Sequence, residues 1–174
     1  MNRFSPADHK LSIGSIEPES LDLAIVAQYN PKELPVSKPV PWHGDKPMAP
    51  EYGGPQGRDL TVELFLDCYE KRGDDTVNKS LAVLDQLSSP RKPNSSIEAE
   101  RRPHRCVITW GKQLRIDCVI TSVDTKFLMW GSDGQPLRAV ATVKVKEIDT
   151  AAMAKAEGVR MRRQAAQPGM RRVS

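Results

Sequence analysis

The sequence predicts a mainly β domain with one helix. It reads as an antiparallel β sandwich or split barrel of about six strands with the helix over one opening or edge, followed by a basic C-terminal helix. Three observations predict it. Apolar and polar residues alternate with period two in separate short stretches, the signature of half-buried strands. Turn signals recur between these stretches, as at Gly111-Lys112-Gln113 and Ser132-Asp133-Gly134, which suits mostly antiparallel connections. Only one segment before residue 149 carries apolar residues at helical spacing.

Leu11, Ile13 and Ile16 give weak spacing for a first short strand. Leu21, Leu23, Ile25 and Ala27 alternate with Asp22, Ala24, Val26 and Gln28 in a clearer one, which Asn30-Pro31 stops. Residues 31–58 hold seven of the fourteen prolines and four of the eleven glycines. Such a segment forms neither helix nor inner strand, and its length marks it as an arm or a functional loop.

Residues 59–69 form the clearest strand, with Leu60, Val62, Leu64, Leu66 and Cys68 on one face. Gly73-Asp74-Asp75-Thr76 then opens a helix with Asp74 or Asp75 as N-cap. Val77, Leu81, Leu84 and Leu87 form its apolar stripe, and Ser88-Ser89-Pro90 closes it. A polar, basic loop spans 90–103. Strand patterns resume at 105–110 and, after Gly111-Lys112-Gln113, at 114–121. A hairpin follows. Its arms are 121–130 and 137–148, and its Gly131-Ser132-Asp133-Gly134 turn supplies residues that tolerate positive φ. The second arm places Ala139, Ala141, Val143 and Val145 on one face. From Asp149 or Thr150, a basic helix is expected to run to Ala166, before Pro168-Gly169. The division is thus residues 1–149 as one β domain and 150–174 as a tail.

Composition narrows the function. Hydrophobic residues make up 39% and aromatics 5%, enough for one modest core. No stretch of about 18 apolar residues offers a membrane span, and residues 1–10 do not read as a secretory leader. Synthesis and assembly in the cytoplasm are expected. The net charge is +4, unevenly spread. Residues 151–174 hold six basic side chains against Glu157 alone, +5, and the other 150 residues balance near zero at 20 basic against 21 acidic.

Chemistry is sparse. The three histidines, His9, His43 and His104, are scattered, and no nucleophile elbow, phosphate loop or zinc-protease motif is present. Cys68, Cys106 and Cys118 lie in apolar strand patterns without close Cys pairs, so they read as buried small hydrophobes and not metal ligands. No enzyme and no cofactor are expected. Arg91, Lys92, Arg101, Arg102 and Arg105, with the tail, leave one alternative: a nucleic-acid-binding β domain attracting phosphate without sequence preference. Phe127, Trp130 and Trp110 form no stacking motif of the kind RNA-binding sheets display.

An ordered series of short motifs resembles one family. It runs from Gln28-Tyr29-Asn30-Pro31 through Trp42 and the strand Leu60-Thr61-Val62-Glu63-Leu64-Phe65-Leu66-Asp67-Cys68-Tyr69. It continues with Arg102-Pro103-His104, Trp110-Gly111 and Ser132-Asp133-Gly134-Gln135-Pro136-Leu137-Arg138-Ala139. In order and spacing over residues 10–148 the chain is similar to tube-type baseplate adaptor proteins of contractile injection systems, particles built like phage tails. His104 stands where that family often has a second proline. Many members carry a C-terminal LysM module, whereas residues 150–174 here read as a basic tail.

The resemblance implies a tail-tube-like β fold arranged in a ring of about six copies. It implies a non-catalytic subunit that joins the inner tube to the hub and spike. Expected partners are further copies, inner tube subunits, the spike or hub protein, and baseplate wedge or sheath subunits. The final location would be the particle, inside the cell or released. The expected subunit interface is Trp42, Met48 and Tyr52 in the arm, Phe127, Met129 and Trp130 in the hairpin, and Arg162 and Arg163 in the tail.

Overall fold

The computed structural model describes residues 9–44, 51–70 and 75–149 together with 152, 153 and 155. Among them are β1 (Leu11–Ser15), β2 (Ala24–Val26), β3 (Val36–Ser37), β4 (Trp42–His43), β5 (Glu51–Tyr52), β6 (Asp59–Asp67), α1 (Thr76–Ser88), β7 (Arg105–Trp110), β8 (Leu114–Trp130) and β9 (Pro136–Glu147). Seven strands form one antiparallel sheet in the order β2-β1-β7-β8-β9-β6-β3, while β4 and β5 pair separately. This is the mainly antiparallel β fold with one helix that the alternation predicts. β3, β4 and β5, two residues each, all lie in the proline-rich arm, where no longer strand can be sustained.

The sheet folds back on itself. Leu11, Ile13 and Ile25 of β1 and β2 share one core with Leu60, Val62 and Leu64 of β6, although these strands lie toward opposite ends of the strand order. The fold turns at β8. The segments 114–121 and 121–130, separate in the sequence pattern, are one 17-residue strand. Ile116, Cys118 and Ile120 face the core. A register shift between Ile120 and Ser122 then moves inward-facing positions to odd numbers, with Val123 opposite the buried Val143. One extra residue bends the strand so that it serves both halves of the sheet. The two ends of the fold meet at Gln28. Its Nε2 donates to the Asp67 carbonyl (2.7 Å) and its Oε1 accepts from the Asp67 N–H (2.9 Å), as a neighbouring strand residue would.

α1 buries Val77, Leu84 and Leu87 against β6, β8 and β9, with Leu81 partly buried beside them. Asp75 occupies the N-cap position, but its carboxylate accepts from Asn78 Nδ2 (2.7 Å) instead of a backbone N–H. β2 is shorter than the alternation suggests. Pro18–Ser20 forms a 3-10 turn that pulls Leu21 into solvent, and only Ile25 and Ala27 reach the core fully. The hairpin arm behaves as expected: Ala139, Ala141, Val143 and Val145 are all buried. At its turn, Gly134 takes a φ of 78°. Asp149 Oδ1 accepts from the Ala152 N–H (3.0 Å), capping the first turn of the tail. The rest of the expected tail helix lies outside the described residues.

Candidate assembly interface

β7 accompanies β8 only as far as Val119. From residue 120 to 130, β8 pairs with β9 alone among the described residues. Strand alternation puts the backbone groups of Val123, Thr125 and Phe127 on the open side, because their partners on β9 turn toward β6. An open edge of this length is a template for another strand. Large apolar groups sit along it. Phe127 is 41% exposed, Leu128 46% and Trp130 56%. Residues three apart on a regular strand point to opposite faces, yet the Phe127 and Trp130 rings lie 4.9 Å apart. Register shifts at Phe127/Met129 and Met129/Trp130 account for this. Met129 is half-buried opposite Arg138.

The arm presents a second apolar surface. Trp42 and Tyr52 are cross-strand partners on β4 and β5, with ring centroids 5.6 Å apart. They remain 60% and 56% exposed, with Val36 and Val40 exposed nearby. Large exposed aromatics of this kind serve as anchors in protein interfaces. The arm is fixed at both roots. Thr61 N–H donates to the Pro35 carbonyl (3.2 Å). Arg58 grips Glu147 through Nε and Nη2 (2.9 and 2.7 Å), its own N–H donates to Glu147 Oε2 (3.0 Å), and Glu147 N–H returns to the Arg58 carbonyl (2.7 Å). These hydrogen bonds from Arg58 push the Glu147 carboxyl down to about 2. Met48 lies outside the described residues, as do Arg162 and Arg163. Nothing in the alternation pointed to Arg58, Glu147 or Gln28. Gln28 falls on the outward series with Asp22, Ala24 and Val26, where a polar residue is ordinary, so the pattern carries no signal for it.

Three of the five Lys and Arg residues between 91 and 105 are ion-paired within the fold. Arg105 holds Glu17 through Nε and Nη2 (2.8 and 3.0 Å). Arg91 reaches both Glu17 (3.0 Å) and Glu19 (2.6 Å), and Lys92 reaches Glu100 (3.1 Å). Burial raises the Glu17 carboxyl, but the hydrogen bonds and charges of Arg105 and the charge of Arg91 outweigh it and hold it below its ordinary value. These cations spend their charge on carboxylates and present less of it to a polyanion. His104 is buried with Nδ1 3.0 Å from Ser15 Oγ, and burial together with Arg91 lowers its pKa. Cys68, Cys106 and Cys118 are free and buried. Burial pushes the Cys106 thiol up to about 12 and the Cys118 thiol up as well, the direction of an unreactive thiol. Among the described residues no cluster of His, Cys, Asp and Glu is placed to hold a metal, and no helix is long and apolar enough to cross a membrane.

A folded-over β sheet with an open edge strand and an aromatic arm defines a scaffold that works through its surfaces. The family model for contractile injection system tube proteins matches residues 9–156. The chain belongs to that family and is a tube-type structural component of a phage-tail-like particle. Comparison with curated proteins found no match.

Proposed function

We propose that the protein is a non-catalytic ring subunit at the baseplate end of the inner tube, joining the tube to the hub and spike. The open β8 edge carries this reading. In a ring, each copy's β8 edge pairs with the β6–β3 side of the next, a heterologous contact that closes by rotation. The arm, rooted at Pro35 and Arg58, reaches the neighbour and seats Trp42 and Tyr52 there. Phe127, Leu128 and Trp130 flank the seam. By family likeness a ring holds about six copies, and tube, spike and wedge or sheath subunits are its axial and radial neighbours. The domain comprises residues 1–149, with 150–174 as an accessory tail. Assembly takes place in the cytoplasm. A ring that survives sheath contraction needs large, dry interfaces, which paired edges and aromatic anchors supply.

Two variants test this. Thr125→Pro removes an edge N–H at a position not bonded to β9. Trp42→Ala with Tyr52→Ala strips the arm of its anchors. Both should leave the monomer folded by circular dichroism and lower incorporation into particles at least tenfold. Wild-type incorporation of both would overturn the proposal.

A further inference from the structure

The function proposed above leaves one buried polar pair without a role. Ser15, the last residue of β1, is fully buried, and its Oγ lies 3.0 Å from Nδ1 of His104, itself 6% exposed. The Ser15 hydroxyl oxygen accepts from the Glu17 N–H (3.1 Å). Among the described residues its own hydrogen meets no acceptor but Nδ1. A buried hydroxyl keeps its hydrogen bonded. Nδ1 therefore accepts, and the neutral ring carries its proton on Nε2. Both side chains lie too deep to meet a substrate. Their place is a seam where separate pieces of the fold join. The His104 N–H donates to the Leu87 carbonyl in the last turn of α1 (3.3 Å), and the Ile16 N–H donates to the Arg105 carbonyl of β7 (2.9 Å). Around the ring stand Glu17 and Glu19 from the turn after β1, Arg91 and Arg102 from the 90–103 loop, and Arg105 from β7. Both glutamates are already held by guanidiniums. The Cys106 thiol, 3.5 Å from the His104 carbonyl, is pushed up to about 12 by burial and stays uncharged. An imidazolium would thus join three cations and two anions in a largely dry site.

We propose that His104 is an acid-sensitive joint of the fold: a proton on Nδ1 takes the acceptor away from the Ser15 hydroxyl, adds charge to the buried cluster and loosens the seam between β1, β7, the end of α1 and the 90–103 loop. The hydroxyl hydrogen is then stranded, and two donors point at one oxygen. Burial first, and the Arg91 charge second, hold the ring's pKa below its ordinary 6.5. The unfolded chain therefore takes up the proton first as pH falls. The stabilisation is whole above 6.5 and is lost between 6.5 and the folded-state value. Across that window the unfolding constant rises by up to about tenfold for each pH unit. The joint lies within one copy, so it operates whether or not the ring closes as proposed above.

Nuclear magnetic resonance and urea unfolding of the full chain test the joint. The His104 ring should titrate below 6.5 in the wild type and closer to 6.5 in Ser15→Ala, which has no hydroxyl hydrogen to place. Between about pH 7.5 and about pH 5.5, the unfolding constant of the wild type should rise at least about threefold more than that of His104→Gln, whose amide oxygen still accepts from Ser15. A wild-type midpoint at or above 6.5, a midpoint unmoved by Ser15→Ala, or parallel pH profiles of wild type and His104→Gln overturns the proposal. If His104→Gln does not fold, the two ring titrations decide.

Discussion

Glu17 ties three segments of the fold together through its carboxylate. It is buried where the start of β7, the turn after β1 and the 90–103 loop converge, and two guanidiniums from two of those elements close on it. Replacing its charge deprives Arg105 of the carboxylate it holds and Arg91 of one of its two, in a largely dry site, a change that costs about 3 kcal/mol when one member of a buried pair is removed. Glu17→Gln keeps the shape and should lose about 2–3 kcal/mol at pH 7, read as a lower urea midpoint with unchanged m-value. The folded carboxyl is held below its ordinary 4.5. Its stabilisation is therefore complete above that value and is lost as pH falls through the folded-state pKa. The wild type and Glu17→Gln should converge in stability as pH drops below 4.5. A gap that stays constant into acid would assign the loss to packing and not to charge.

At the scale of elements, the joints matter more than the strands. Gly57 sits where the arm returns to the sheet, and a Cβ there would run into the carbonyl oxygen of Glu147. That carbonyl belongs to backbone that cannot rotate away, unlike the His43 ring facing Gly53. Gly57→Ala should cost about 1–3 kcal/mol by overpacking and loosen the Arg58–Glu147 clamp, detectable as faster exchange of the Glu147 amide. Unchanged exchange and stability would mean that the arm root yields freely. Much of this level was legible in the sequence. The inward faces of β6 and β9, the α1 stripe, the hairpin turn and the three buried cysteines follow from period and composition. What escaped depends on contacts between distant residues. The fusion of 114–121 with 121–130 into β8 hides behind a one-residue bulge that reverses the alternation. The short β2 reflects the 3-10 turn at Pro18–Ser20, which overrides the apolar spacing at Leu21. Gln28, Arg58 and Glu17 are recognisable only once Asp67, Glu147 and Arg105 are beside them. Of the expected interface residues, Trp42, Tyr52, Phe127 and Trp130 are exposed and Met129 is half-buried.

For the whole molecule, the contrast lies between a closed core and open edges. The curled sheet satisfies its own interior through the Gln28 latch and α1, yet leaves most of β8's outer half and the centre of β6 unpaired among the described residues. In a tube-family protein, edges that would endanger a monomer are available to pair with a neighbour, as proposed above. The most direct test is to recover the tagged protein from its native cells after nuclease treatment and image the eluate by negative-stain electron microscopy. The account predicts rod-like or plate-like particles with tube, sheath or spike proteins co-purifying. A lone soluble protein, or recovery of partners only when nucleic acid is left intact, would contradict it.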